Sequence, residues 1–567
     1  MVLGMVCVMI STGAATVAPD ILRQAIDGLQ SRKMEHSLAY YAGGILLATI
    51  VTATFLFLMR KIMIGVSREI EYDLRNDLYG HMQLLSASYY NKMYTGDLMS
   101  RANNDLAAVR MVLGPAIMYS VNTIFTFTFA LIRMGWINWE LTLFALAPLP
   151  AVSWLVTRYG SVIHDRFKDV QEQFSRISTT VQENLSGIKV VKAFGREQQE
   201  IEEFKKENLE YLQQNRKLVR IWGVLYPLVE MMAGIGILIV LFFGGRYVIQ
   251  GKLTLGEFVA FNTYLAMLIW PAIALGWVVN IAQRGAASMG RINEIFDRVP
   301  DIQSPEKPAV SDDYQIQGKI EFRNVTFGYD KDRLVLKDLS FTIQPGQTVA
   351  FVGATGEGKT SLLHLLPRMY DPLSGEIFLD DIPLKQFPLK LLRKQIGYVP
   401  QDAFLFSETI EENIGFGMEE HDTDAVAHAA RMAHFEEEIL SFPQQYQTVI
   451  GERGITLSGG QKQRATIARA LGKDPAILIL DDSFSNVDTY TEERILQSLR
   501  EFRKGRTCIL VSHRFSTIQD ADRIFVLEDG TIAESGQHQT LLNARGLYYD
   551  LYLKQLIEEE LNIHRGA

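Results

Sequence analysis

Long apolar runs constrain this chain more than any other feature. A helix needs about 20 apolar residues to cross the hydrocarbon core of a bilayer. Residues near 1–28, 37–60, 113–135, 139–160, 222–247 and 256–280 supply six such stretches, all in the first half of a 567-residue chain. From about residue 298 onward no comparable run occurs, and the sequence reads as a soluble α/β domain. At least two domains are therefore expected. The first run has no basic stretch ahead of it and five more spans behind it, which predicts a membrane domain and not a signal peptide.

Basic residues set the orientation. Between the second and third runs lie Arg60, Lys61, Arg68, Arg75, Lys92, Arg101 and Arg110, and a longer basic series from Arg158 to Arg220 separates the fourth from the fifth. The other connections are short and poor in Lys and Arg. The two long connections are thus expected on the cytoplasmic side, together with everything after the sixth run. Both are rich in helix formers, and some 25 extra helical residues carry a span about 37 Å beyond the membrane. Two breaks, "YTGDLMSRANND" (94–105) and "LSGIKVVKAFGREQQEI" (185–201), predict short helices at the bottoms of helical hairpins. Within the spans, Glu230 is the ionisable residue to watch, since intramembrane charge usually faces a cavity, a partner or the interface. Pro271 predicts a bend in the sixth span. A net charge of −9, spread along the chain, gives no reason to expect a nucleic-acid partner. Cys7 and Cys508 lie far apart and form no disulfide or metal-ligand pattern.

A polar linker at 298–317 leads to a second domain at 318–567, where an apolar strand runs into "GATGEGKTS". Gly353, Gly358, Lys359 and Thr360 match the phosphate-binding pattern G-x-x-x-x-G-K-[ST], and Thr355, Gly356 and Ser361 beside them are expected to contact the nucleotide too. Glycines let backbone N–H groups crowd around phosphate oxygens, and the helix start adds its positive dipole end. Lys359 would reach the β- and γ-phosphates of ATP and Thr360 would ligate Mg2+. "ILILDD" (477–482) would deliver Asp481 to the same metal at the end of a buried strand.

Between these two motifs stands "LSGGQ" (457–461), and here the chain resembles the ATP-binding cassette (ABC) transporters. The resemblance covers the whole chain, because six long spans ahead of one cassette match a half-transporter of the exporter type. It implies an all-α membrane domain over 1–297, with coupling helices near 94–105 and 194–201, followed by an α/β P-loop ATPase. It further implies an adenine-stacking ring from Tyr329 in "VTFGYD", and a Q-loop Gln401 near Mg2+ and the γ-phosphate. An X-loop in "TVIGERG", a D-loop in "SNVD" and a switch His513 in "LVSHR" complete the set. Two cassettes of this family face each other head to tail. Ser458, Gly459, Gly460 and Gln461 would therefore complete the ATP site of a partner chain in the cell membrane.

The departures from the family pattern carry the functional expectation. Asp482 stands where the family keeps a catalytic Glu, with roughly 1.3–1.5 Å less reach. A misplacement of about 1 Å can cost 100-fold in rate. ATP binding should survive while hydrolysis slows, with Asp482, His513 and Gln401 as the residues carrying it. Glu357 inside the P-loop would repel phosphate unless it faces away, and Asn486 replaces the usual Ala of the D-loop. An intact signature beside a weakened base resembles one chain of a heterodimeric exporter of amphipathic or lipid-like compounds. The alternatives are a homodimer using Asp482 as base, and an ATP-gated channel.

Overall fold

The computed structural model describes residues 1–330, 332–420, 422–451 and 457–565. The chain forms two compact units, Met1–Met82 with Gly96–Asp297, and Gln83–Thr95 with Arg298–Ala567.

The first unit is helical: α1 (Val2–Ser31), α2 (Leu38–Leu84), α4 (Thr95–Ile137), α5 (Trp139–Leu146), α6 (Leu149–Ser186), α7 (Ile188–Ala193), α8 (Glu197–Ile249) and α9 (Leu255–Phe296). Among the described residues α1, α2, α4, α8 and α9 are long and apolar enough to cross a membrane. The remaining expected crossing, 139–160, falls on α5 and the start of α6, where some side chains lie outside the described residues. At 47 residues, α2 runs about 70 Å, more than twice the ~30 Å hydrocarbon core. The long connection between the fourth and fifth runs is a helical hairpin: Gln173 and Thr180 of α6 donate to the Glu207 backbone carbonyl and carboxylate of α8, at 3.2 and 3.1 Å.

Polar contacts tie the membrane helices at points where apolar contact alone gives no register. Asp20 of α1 pairs with Arg133 of α4, and Arg23 reaches Glu257 of α9 at 3.8 Å. Asp27 caps α9, accepting from Gly256 N and Thr254 Oγ1 at 2.8 Å each. Farther along, buried Asp105 accepts from Ser288 and from Arg291 Nε, both at 2.9 Å. Two stretches of α4 are π-helical, Arg101–Asp105 and Val112–Ala116, the latter around Pro115. Glu230 lies exposed on α8, and Pro271 is buried within α9.

The second unit carries two sheets. The antiparallel one has the order β2-β1-β4-β5, from β1 (Ile320–Phe327), β2 (Leu336–Ile343), β4 (Ser374–Leu379) and β5 (Ile382–Pro383). The larger one runs β10-β9-β3-β8-β7-β6. Its strands are β3 (Thr348–Val352), β6 (Ile396–Val399), β7 (Ile477–Asp481), β8 (Thr507–Val511), β9 (Arg523–Glu528) and β10 (Thr531–Gly536). β3, β7 and β8 are buried along their whole length, as parallel strands covered on both faces must be. Phe341, Phe351 and Phe525 join the sheets, with ring centroids 5.2–5.4 Å apart.

Gln83–Thr95 belongs to this second unit through a short helix, α3 (Ala87–Lys92). Ser86 and Ser88 donate to Asp301 at 3.0 and 2.8 Å, and Asn91 donates to the Tyr370 hydroxyl at 2.7 Å. The first hairpin tip thus falls just upstream of the stretch read from sequence. Extended backbone at Ser86 and Met93 bounds it, whereas Gly96 does not break α4, whose first turn carries Asp97 bonded to Arg101 at 2.9 Å.

Candidate functional site

Four neighbouring strands of the large sheet end at one level. Phe351 of β3 and Asp481 of β7 both pair with Val511 of β8, and Val399 of β6 pairs with Leu480. The strands therefore deliver their successors to one edge: the loop 353–358 after β3, Gln401 after β6, Asp481 and Asp482 at the end of β7, and His513 after β8. The carboxyl edge of such a sheet is where α/β folds bind ligands. Here it opens into a cavity of about 410 Å³ lined by Tyr329, Thr355, Gly356, Gly358, Lys359, Thr360, Ser361, Gln401, Asp481, Asp482 and His513, among others.

The loop conformation requires glycine. Gly353, Gly356 and Gly358 have φ of 153°, 97° and 88°, a region L-residues avoid. A side chain at Gly358 would also sit 2.8 Å from Leu336 and 2.9 Å from Val335. The helix α10 (Lys359–Leu365) begins directly after it. Lys359 is buried and donates to the Gly353 and Ala354 carbonyls at 2.8 and 2.7 Å. Burial lowers its pKa, opposed by the charges of Glu357, Asp481 and Asp482. Glu357 itself lines no part of the cavity; its Cγ lies against Gly353.

Asp481, 1% exposed, accepts from Thr360 Oγ1 at 3.1 Å on one oxygen and from the Tyr398 hydroxyl at 3.4 Å on the other. Burial raises its pKa against these two hydrogen bonds. A hydroxyl and a carboxylate oxygen side by side, with the Gln401 amide on the same wall, form the hard oxygen donor set that Mg2+ prefers. Asp482 sits in the left-handed region at φ 43°, and its N–H is fixed to the Val511 carbonyl at 2.8 Å. Tyr329 is half-exposed at the cavity mouth. Its hydroxyl shares a 3.0 Å hydrogen bond with Ser361, and its ring is held edge-on by Phe327 and Tyr370.

Ser458, Gly459, Gly460 and Gln461 are not among the residues lining this cavity. They start the helix α11 (Gly459–Gly472), with Ser458 as N-cap in a reciprocal box: Gln461 N donates to Ser458 Oγ at 3.3 Å and Ser458 N to Gln461 Oε1 at 2.8 Å. Gln461 also donates to Glu438 at 2.9 Å. The expected X-loop residues 452–454 lie outside the described residues.

Sequence reasoning passed over Tyr370 and Tyr398. Nothing in their local sequence marks either one, and only the fold shows that the Tyr398 hydroxyl donates to Asp481 and the Tyr370 hydroxyl accepts from Asn91.

Residues 1–272 match the family described as ABC transporter transmembrane region, and residues 336–485 the family described as ABC transporter. A probable multidrug resistance ABC transporter ATP-binding/permease protein of Bacillus subtilis, YheI, is 40% identical over 95% of this chain and 92% of its own. An ATP-dependent lipid A-core flippase of Syntrophus aciditrophicus is 36% identical over 99% and 93%. The multidrug resistance-like ATP-binding protein MdlA of Escherichia coli is 35% identical over 96% and 92%. A solved bacterial Atm1-family ABC exporter with ATP bound superposes with a TM-score of 0.81 at 29% identity, covering 98% of each chain.

Proposed function

The chain belongs to the ABC transporter family, and on that premise we propose that it is one half of a heterodimeric exporter whose own ATP site binds nucleotide but turns it over slowly. It is a multi-pass membrane protein with a cytoplasmic ATPase domain, and its family exports substrates as dimers at the expense of ATP. The observation that carries the finer reading is Asp482 in a cavity otherwise equipped to bind.

Tyr329 offers its free ring face to adenine. The loop N–H groups and Lys359 hold the phosphates, and Thr360, Asp481 and Gln401 would hold Mg2+, which neutralises developing phosphate charge when bound. His513, which also lines the cavity, would act as the switch at the γ-phosphate. Asp482 would have to orient the attacking water from a shorter arm. Because Ser458, Gly459 and Gly460 do not line their own chain's cavity, head-to-tail pairing would bring them to the partner's nucleotide. Coupling helices at the hairpin tips, expected near 94–105 and 194–201, would pass closure of the cassettes to the spans.

The cargo we propose is amphipathic or lipid-like. Relatives bear the names multidrug resistance protein and lipid A-core flippase, and Met, Phe and Tyr in the spans suit adaptable apolar binding.

ATP hydrolysis by this chain alone in lipid, and again co-purified with a candidate partner half-transporter, tests the reading. Activity restricted to the pair supports a heterodimer with a slow site here. Brisk turnover by the lone chain as a dimer overturns it, leaving a homodimer in which Asp482 is a working base.

A further inference from the structure

One buried charge near the nucleotide cavity takes no part in binding or hydrolysis. Glu492 lies in the first turn of the helix α12 (Thr489–Phe502), directly after the D-loop, and is 1% exposed. Its carboxylate pairs with Arg514 and accepts from Thr517 Oγ1 at 2.6 Å. Both partners belong to the segment that carries His513. On the far side of the switch, Ser512 Oγ accepts from Arg514 N at 3.0 Å and donates to Thr517 at 3.4 Å. His513 is exposed between two anchored neighbours.

Arg514 does a second thing: its Nη1 donates to the Val487 carbonyl, in the D-loop itself, at 3.2 Å. The D-loop is in turn bolted to the signature helix. Asn486 N donates to Gln463 Oε1 at 2.9 Å, Gln463 Nε2 donates to Ser485 Oγ at 2.9 Å, and Gln463 is 1% exposed. The Asn486 carbonyl lies so close to Gly460 that a Cβ there would approach it to 2.9 Å. A contiguous set of polar contacts thus joins Arg514, the residue next to His513 in the chain, to Glu492 and Val487, and the neighbouring Asn486 to Gln463 in the first turns of α11.

We propose that the Glu492–Arg514 pair is a strut that transmits the state of this chain's own ATP site, read at His513, to its signature helix and hence to the partner's ATP site. The inference rests on the proposed dimer. Its two ends face different nucleotides: His513 lines the cavity of its own P-loop, and the signature residues line none of it. The buried carboxylate of Glu492 carries a desolvation penalty that its half-buried partner Arg514 offsets, and what the pair supplies is fixed geometry between two elements. Here those elements are the switch and the D-loop. Glu492 and Arg514 are positioning residues; neither touches nucleotide.

The test is a double-mutant cycle, the measurement that separates coupling from mere proximity. Dimers are assembled in lipid with one tagged protomer carrying His513→Ala, Glu492→Gln, or both, and an unmodified partner. The remaining site, completed by the substituted protomer's signature, is read by its ATP turnover, with kcat separated from KM. Glu492→Gln keeps the shape and the hydrogen-bond acceptor but removes the charge.

If the strut carries the signal, each single substitution lowers kcat at the remaining site by about fivefold, the low end of typical allosteric couplings. KM stays put, and the double substitution is no worse than Glu492→Gln alone. If the two effects multiply, Glu492 serves packing and the proposal fails. It fails equally if His513→Ala leaves the remaining site's rate untouched. Should Glu492→Gln not assemble, Arg514→Lys in the same cycle, which keeps the charge and loses the two-pronged contact, gives the same decision. Differently tagged copies allow the cycle in a homodimer too, so failure of the heterodimer reading leaves this test intact.

Discussion

Replacing Asp482 by Glu restores the longer carboxylate at the position expected to orient the attacking water. The Cα cannot shift to compensate, because the residue 482 N–H is tied to the Val511 carbonyl at 2.8 Å and the preceding Asp481 is buried in register with β8. The carboxylate therefore moves outward by roughly 1.3–1.5 Å. With ~1 Å of misplacement costing about 100-fold, turnover at this site should rise about 100-fold, or ~2.7 kcal/mol of barrier. The same backbone sets a counter-cost. Residue 482 is left-handed at φ 43°, where short Asp is tolerated better than other L-residues, so Glu should cost about 1 kcal/mol of stability and lower Tm by about 2–4 °C. The assay is single-turnover hydrolysis of labelled ATP by the assembled dimer, with the partner's own P-loop lysine substituted so that only this chain's site can report. A rate change under about threefold, at unchanged ATP affinity, would refute the reasoning, since carboxylate reach would then not limit the step.

Lys359→Ala should weaken ATP binding by about 10- to 100-fold, the ~1.5–3 kcal/mol of a charged hydrogen-bonding group, measured with a fluorescent ATP analogue; an unchanged Kd would show that the loop backbone alone holds the phosphates. Gly460→Ala should leave binding at this chain's own P-loop intact yet cut the turnover of the dimer, because its Cβ meets the Asn486 carbonyl at 2.9 Å and overpacking of about 1–3 kcal/mol must displace the signature or the D-loop. His364, whose Nδ1 is buried without a hydrogen-bond partner among the described residues, has its pKa lowered by burial. A depressed folded pKa contributes stability that is present above the unfolded value of about 6.5 and lost as pH falls towards the folded one. Tm should therefore drop between pH 7.5 and 5.5, and His364→Gln should flatten that dependence.

What the sequence disclosed about the site depended on how locally the chemistry is encoded. The P-loop is one contiguous strand–turn–helix, so Gly353 to Thr360 could be read residue by residue. Asp481 was legible as the end of an apolar run, because a strand buried on both faces has no other reason to finish in a carboxylate. Tyr398 and Tyr370 were not legible. Each lies far in sequence from its partner, and nothing local distinguishes an aromatic that packs from one whose hydroxyl makes a hydrogen bond. The same holds for Asp20, Asp27 and Glu257 in the membrane unit, whose partners Arg133, Thr254 and Arg23 lie on other helices. The short helix α3 (Ala87–Lys92) lies just upstream of the 94–105 stretch, within which Gly96 does not interrupt α4. Propensity of a single glycine costs about 1 kcal/mol, which the Asp97–Arg101 pair and the packing of a 43-residue helix readily exceed.

Asp482 and the signature stand on separate elements, so under the proposed function a slow site here would not impair the signature offered to a partner. The base sits at the tip of β7 and the signature caps α11, and the side chain at 482 is absent from every contact that fixes Ser458, Gly459 or Gly460. Shortening the base therefore leaves the capping box and the helix N-terminus as they were. What still joins the two ends is the D-loop, held by Gln463 on one side and by Arg514 on the other. On the proposed heterodimer reading, a chain arranged in this way would occupy its own site with unspent ATP and keep its signature available to the partner's site. Slow hydrolysis would then lengthen the interval over which the partner's site stays complete, a benefit that a fast base at position 482 would remove.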